Sequence, residues 1–254
     1  SRLYAEYSWD ILTTVAQNIE KTKNPLYTKR EVKNVLLVLI TSNRGLCGSY
    51  NSQIIKKVIA MLKASSESFR LSLITIGKKG DIAMRRLGQN VLASFLELPD
   101  LIKLPDVMPV SKLVIDEYVS GNFDQVFIAY TDFISALTQQ TNIKQLLPIS
   151  KNEIKEMIEN SPENKKEQKT DYLFEGDFET LLSTLAEKIT KMQVYQMLLE
   201  SNASEQSSRM VAMKNASEAS GEMIDDLTLM FNKARQANIT REISEISAGM
   251  ASVS

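Results

Sequence analysis

Histidine is absent from this chain of 254 residues, and cysteine occurs once, at Cys47. A single cysteine rules out an intramolecular disulfide, which fits a reducing compartment. Without histidine, the chain cannot build a Ser-His or Cys-His nucleophile pair or a His-ligated metal site. The composition therefore excludes a large share of enzyme mechanisms.

Long apolar runs and a strong net charge are also missing. The run Val35–Ile40 falls far short of the ~20 apolar residues that cross a bilayer. The first residues do not resemble a signal peptide. The formal net charge of -1 lacks the basic footprint of a nucleic-acid binder. With 43% hydrophobic and 24% charged residues, the composition is that of a soluble folded protein with one or two domains.

The opening residues predict an amphipathic helix. Its apolar stripe recurs at four-residue steps and comprises Leu3, Tyr7, Ile11, Val15 and Ile19. Asn24-Pro25 ends the helix, because the residue before a proline is pushed out of the α region. The chain starts without Met and already in helical pattern, so we expect the true N-terminus to lie upstream.

The middle of the chain changes to a pattern of alternating strands and helices. Apolar runs predict strands at 35–41, 71–77 and 125–130, and helical spacing predicts helices at 52–64, 80–87 and 111–119. This alternation indicates a Rossmann-like α/β domain over residues 31–177, built on a mostly parallel sheet. Its polar loop near 150–176 has no function that we can assign, and Tyr172–Phe174 is a candidate edge strand.

The final segment predicts one long helix from Phe178 to Val253. No proline follows Pro162, and only Gly221 and Gly249 interrupt the pattern after Gly176. About 75 helical residues would span ~110 Å, which is far longer than a typical helix. Its sustained seam of Ala, Ser and Met indicates a coiled coil. We expect an antiparallel pairing of this helix (178–254) with the N-terminal helix (1–30).

A glycine-containing turn, Ser42–Asn51, joins the first predicted strand to a helix. Such a turn can cradle phosphate, but this one lacks both the Lys-Ser/Thr pair of a P-loop and the three glycines of a dinucleotide fingerprint. A tight strand-to-helix turn is the simpler interpretation. Cys47 is also a candidate reactive thiol, although no histidine is present to activate it.

Two stretches of the last helix and this turn together carry a family resemblance. The stretches are ASEQSSRMVAMKNA (203–216) and FNKARQANITREI (231–243), and the turn reads SNRGLCGSYN. They strongly resemble signatures of the γ subunit of F-type ATP synthases, in which Asp usually stands at the place of Asn43. The resemblance covers essentially the whole chain, in the order helix, α/β domain, long helix.

The resemblance implies a non-catalytic central rotor with no cofactor and no bound metal. Its terminal helices would turn as an antiparallel coiled coil inside a ring of α and β subunits, coupling ion-driven rotation to ATP synthesis and hydrolysis at β. Its α/β domain would contact the ε subunit and the ring of c subunits. The complex would lie at the cytoplasmic face of a bacterial plasma membrane, with this chain peripheral to it, rather than in an organellar inner membrane.

The resemblance also implies residues that contact the β subunit. Those in the last helix are Arg209, Arg235, Gln236, Thr240 and Glu242, and those in the turn are Arg44 and Cys47. The sequence does not reveal whether H⁺ or Na⁺ is moved. Two other hypotheses compete with the rotor: an autonomous α/β nucleotide-binding protein with a coiled-coil tail, and a structural coiled-coil adaptor.

Overall fold

A computed structural model describes residues 24–65, 69–150 and 178–251 of the chain. The candidate strand Tyr172–Phe174 lies wholly outside these residues. The predicted N-terminal helix and the polar loop lie outside them except at one end of each. The chain forms two compact units, and the boundary between them falls between Ser208 and Arg209. Within the described ranges, no helix combines the length and apolar character that a membrane span requires.

A five-stranded sheet forms the centre of the first unit. Its strands are β1 (Asn34–Ile40), β2 (Arg70–Ile76), β3 (Val91–Phe95), β4 (Gln125–Phe133) and β5 (Gln139–Leu147). They are ordered β3-β2-β1-β4-β5, with β5 antiparallel to β4 and every other neighbouring pair parallel. The prediction of a mostly parallel sheet is confirmed.

Four helices accompany the sheet in the described residues. They are α1 (Tyr50–Ser65), α2 (Lys78–Arg86), α3 (Leu104–Val119) and α4 (Phe178–Ala251). The long C-terminal helix is confirmed, since α4 is a single helix of 74 residues. By contrast, α3 begins seven residues before the predicted start at Ser111, because Pro105 favours a first helical turn there and the Asp106 carboxylate accepts a hydrogen bond from the Lys103 N–H (2.8 Å).

Side-chain alternation along the strands divides the core between two faces of the sheet. Leu36, Val38 and Ile40 of β1 join a cluster that includes residues of α3 and α4. Leu37 and Leu39 point to the opposite face, where they join a cluster with residues of α1 and α2. β1 therefore lies in the middle of the sheet with both faces covered, which explains why its sequence is continuously apolar.

The two edge strands were missed by the sequence analysis. β3 has only five residues, and β5 reads QQTNIKQLL, which is largely polar. Edge strands are paired on one side only and are less buried, so neither carries the apolar run that marks β1, β2 and β4.

The carboxyl ends of β1 and β2 meet closely at Gly77. This glycine has a φ of 91°, and a Cβ placed on it would lie 2.1 Å from the carbonyl oxygen of Thr41. The Thr41 hydroxyl also donates a hydrogen bond to the Ile76 carbonyl oxygen (3.0 Å) and accepts one from the Gly80 N–H (2.9 Å). Only glycine fits this position without moving the backbone.

Candidate partner-contact surfaces

The turn at 42–51 follows β1 and is fixed by its own polar side chains. Asn51 accepts a hydrogen bond from the Ser42 N–H (3.0 Å) and donates one to the Ser42 hydroxyl (2.6 Å). Asn43, the departure from the usual Asp, accepts a hydrogen bond from the Lys78 N–H at the start of α2 (3.0 Å). The turn is thus held in one conformation from both of its ends.

The two predicted contact residues of this turn differ in accessibility. The Arg44 side chain is 76% exposed and pairs with Asp100 at 3.4 Å. The Cys47 side chain is buried, with the Asn51 amide nitrogen 3.1 Å from its sulfur. Leu46 between them is 76% exposed and has a φ of 62°. Arg44 and Leu46 therefore carry the large exposed side chains of the turn, whereas the Cys47 thiol faces inward.

Four serines of α4 form a polar face that the sequence analysis did not single out. Ser201, Ser204 and Ser207 follow one another at three-residue steps, and Ser208 lies four residues after Ser204. We call these four residues on one side of the helix the serine face. The Ser208 hydroxyl donates to the Cys47 carbonyl oxygen (2.7 Å). The Ser207 hydroxyl donates to the carbonyl oxygen of Ala136, in the loop between β4 and β5 (2.7 Å).

The other two serines are more deeply buried and bind Tyr50 of α1 and Thr131 near the carboxyl end of β4. The Ser204 hydroxyl donates to the Thr131 carbonyl oxygen (3.2 Å). The Ser201 hydroxyl shares a hydrogen bond with the Tyr50 hydroxyl (2.7 Å) and lies 3.4 Å from the Thr131 N–H. Both serine side chains are completely buried. The spacing of the serines is visible in the sequence. Their binding to the end of a strand is not, because it depends on the fold.

This location is the topological switch point of the sheet. From β1 the chain winds outward to β2 and β3, then crosses back to β4 on the other side of β1. Doubly wound α/β proteins commonly bind ligands in the crevice at the carboxyl ends of such strands. In this chain, Ser201 and Ser204 of α4 occupy that crevice, and the turn after β1 is bonded to Ser208 rather than open.

A carboxyl pair lies beside the serine face. Burial raises the pKa of Glu200, a hydrogen bond from Gln196 (2.8 Å) opposes this, and hydrogen bonding with Asp132 of β4 raises it further. Burial, with the neighbouring charges of Asp132 and Glu200, raises the pKa of Tyr130 to about 12. Within the described ranges, no three metal-binding side chains come together.

The remaining predicted contact residues lie in the second unit. Four of them are exposed: Arg235, Gln236, Thr240 and Glu242. Arg209, the first residue of this unit, is half-buried. Helical spacing places Arg235 and Glu242 on one side, seven residues apart, and Gln236 and Thr240 on another, four residues apart. Two neighbouring faces of one short helical segment therefore carry these polar groups.

The second unit also exposes large apolar side chains. Ile239, Ile243, Ile246 and Met250 follow one another at three- and four-residue steps, and each is 49–70% exposed. Further large apolar side chains that are more than half exposed are Met210, Met213, Met223, Ile224, Leu227, Leu229, Met230 and Phe231. Exposed apolar surface of this extent is typical of a surface that a partner covers.

The chain is similar to known proteins over its whole length. The sequence model of the ATP synthase family matches residues 1–253. ATP synthase gamma chains of Coxiella burnetii and Legionella pneumophila are 39% and 34% identical to this chain, covering all of it and 86% of their own length. The chain therefore belongs to the ATP synthase gamma chain family, the non-catalytic central-stalk rotor subunits of F-type ATP synthases.

Solved structures agree with this assignment. A chain of the Tetrahymena thermophila mitochondrial ATP synthase central stalk and c-ring is 26% identical, with a TM-score of 0.59 over 85% of this chain and 96% of that one. A chain of the Euglena gracilis mitochondrial ATP synthase, 20% identical, shares the fold with a TM-score of 0.64 over 99% of this chain and 91% of that one. The hypotheses of an autonomous nucleotide-binding protein and of an adaptor are thereby superseded.

Proposed function

We propose that the chain couples ion-driven rotation in a membrane to ATP synthesis and hydrolysis at β subunits, as a shaft turning inside a ring of α and β subunits. The exposed apolar surface of residues 209–251 is the observation that carries this proposal. Apolar contacts have no preferred direction, so a partner ring can cover this surface without holding one orientation strongly. Met contributes further tolerance, because its side chain adapts to irregular surfaces.

In this proposal the predicted N-terminal helix, which ends at Asn24-Pro25, pairs with α4 as an antiparallel coiled coil, whereas residues 24–30 form a turn and irregular chain that packs Leu26 and Tyr27 on the main core. The four-residue apolar stripe of the opening segment supports the pairing, as does the exposed apolar surface of α4. Pairing two helices stiffens a shaft and covers one of its apolar sides. The α/β domain (31–177) then lies between the two helices in sequence.

Polar residues in the shaft supply the orientation-dependent contacts with β. Arg235, Gln236, Thr240 and Glu242 are exposed and concentrated within eight residues. A charged or hydrogen-bonding group binds well in only one arrangement, so it favours one β conformation over the others at each angle. Arg209 and the turn residues Arg44 and Cys47 belong to the same proposal, with the buried Cys47 holding the turn that presents Arg44 to β.

The remaining partners are the ε subunit and the c-subunit ring, which the α/β domain would contact. The Legionella and Coxiella relatives are bacterial, which supports a place at the cytoplasmic face of a bacterial plasma membrane. The chain would be peripheral there, as part of the ATP synthase complex.

The test is ATP turnover by this chain assembled with α and β subunits. We expect Arg235→Ala and Gln236→Leu each to lower turnover about tenfold, the effect of losing about one charge-assisted hydrogen bond. Arg241→Ala is the matched control, because Arg241 is also an exposed arginine of this segment but lies on a third side of the helix, away from the four assigned residues. Equal turnover for Arg235→Ala and Arg241→Ala would refute the assigned role of Arg235.

A further inference from the structure

We propose that the serine face of α4, together with Tyr50, is the joint that transmits torque between the α/β domain and the shaft. It resists rotation of α4 about its own axis against the sheet. The proposal rests on the rotor function given above and adds a role for residues whose hydrogen bonds are made within the first unit. Its basis is the set of hydrogen bonds that α4 makes between residues 201 and 208.

These eight residues bind three separate segments that surround the carboxyl ends of β1 and β4. Ser201 and Ser208 bind the turn and first residue of α1, through Tyr50 and Cys47. Ser201, Ser204 and Ser207 bind the end of β4 and the loop that follows it. Asn202 donates to the Asp100 carbonyl oxygen, before α3 (2.7 Å). Because the partners belong to three different segments, rotating the helix about its axis breaks some of these bonds.

The preceding segment of α4 is bound to the same domain differently. Its buried residues are Leu182, Ala186, Ile189, Val194, Met197 and Leu198, which join the main core cluster. Apolar packing resists separation of the helix from the sheet but sets few directional constraints. Hydrogen bonds weaken steeply when distance or angle changes, so they resist sliding and rotation. The segment at 182–198 thus provides adhesion, and the segment at 201–208 fixes the angle.

The position of the polar segment agrees with a mechanical role. It is the last part of α4 assigned to the first unit, immediately before the boundary between Ser208 and Arg209. Torque passing along the helix reaches the sheet domain first at this segment. Small serine side chains also allow the strand ends to approach the helix backbone, which shortens and stiffens the contact.

Torsional stiffness of the assembled complex tests the proposal directly. The chain is assembled with immobilised α and β subunits, and a bead is attached to the α/β domain through Lys112→Cys on α3, which is exposed. The angular variance of the bead is recorded while the motor waits for ATP. We expect Ser201→Ala with Ser204→Ala, and separately Ser207→Ala with Ser208→Ala, to raise this variance about twofold or more, with the rate of ATP hydrolysis at low load unchanged.

Ser220→Ala is the matched control, because the Ser220 hydroxyl is exposed and binds only the Ala216 carbonyl oxygen of its own helix (2.7 Å). Ser207→Thr with Ser208→Thr keeps both hydroxyls and should restore wild-type variance. If the buried pair prevents assembly, the pair at 207 and 208, which lies nearer the surface, decides the matter.

Wild-type variance in the alanine variants would overturn the joint while leaving the rotor function intact. Absence of ATP-driven rotation in the wild-type complex would instead overturn the rotor function itself. A variance increase that Ser220→Ala reproduces would also overturn the joint, because it would show a general loss of helix stiffness.

Discussion

The two halves of α4 are built from similar residues but have opposite environments. Leu198 is 1% exposed and packs against the sheet, whereas Leu227, eight helical turns further along, is 58% exposed. Packing within the chain explains the apolar residues of the first half. The second half has comparable apolar content but is exposed among the described residues, so packing against them does not explain its sequence.

This difference separates residues that fold the protein from residues that make it work. Apolar side chains in the first half stabilise the α/β domain through burial, which for a leucine contributes about 2 kcal/mol. Those in the second half cost solubility and are not buried by the described residues. Their retention is explained by the surfaces of α and β subunits that we propose to surround them.

The largest expected effect comes from adding one carbon at the carboxyl end of the sheet. In Gly77→Ala the new Cβ would overlap the Thr41 carbonyl oxygen, and the residue would keep a positive φ. We expect a loss of more than about 4 kcal/mol in the free energy of unfolding, or no folded domain at all. Denaturant unfolding of the isolated chain measures this.

Gly221→Ala is the counterpart in the second half of α4. An added Cβ there meets nothing within 4 Å. We expect it to stabilise the helix by about 0.5–1 kcal/mol, because alanine loses less backbone entropy than glycine. Unchanged unfolding for Gly77→Ala would show that the sheet tolerates backbone movement, and would break the contrast between the two units.

The same contrast decided which features the sequence could predict. β1 is buried on both faces, and its sequence is therefore an unbroken apolar run that predicts a buried strand. α4 could be predicted because 74 residues lack any proline, and the repeat of apolar residues continues whether or not they are buried. Local composition was sufficient in both cases.

The role of the serine face could not be predicted in this way. A serine on a helix has no distinctive composition, and its partners Cys47, Thr131 and Ala136 are 71–161 residues away in sequence. Burial of the Cys47 thiol was hidden for the same reason, since the side chains around it are set by the turn geometry. Long-range polar contacts need the folded topology before they can be recognised.

An intermediate effect is expected from truncating equivalent leucines in the two halves. Leu198→Ala leaves a cavity in the main core and should cost about 2–5 kcal/mol of unfolding free energy. Leu227→Ala should change the unfolding free energy of the isolated chain by no more than about 0.5 kcal/mol. In the complex with α and β subunits the second variant should lose affinity. Equal costs in the isolated chain would mean that residues 209–251 are packed in solution.

The smallest expected effect concerns Glu200, because burial disfavours the ionised form of its carboxyl group. The folded chain raises the pKa of Glu200, so folding favours the protonated form. The contribution of this group to stability is complete below the pKa that Glu200 has in the unfolded chain, about 4.3. It is lost as the pH rises through the pKa that Glu200 has in the folded chain. Glu200→Gln mimics the protonated form at every pH. We therefore expect Glu200→Gln to gain about 1 kcal/mol or less in the free energy of unfolding at pH 8, and this gain to disappear by about pH 4.

Asp226→Asn is the control, because it removes a carboxyl from the exposed half of α4, and it should show no such gain. Unfolding curves at both pH values measure the difference, and a Glu200→Gln variant less stable than wild type at pH 8 would mean that the ionised carboxylate stabilises the contact between α4 and β4.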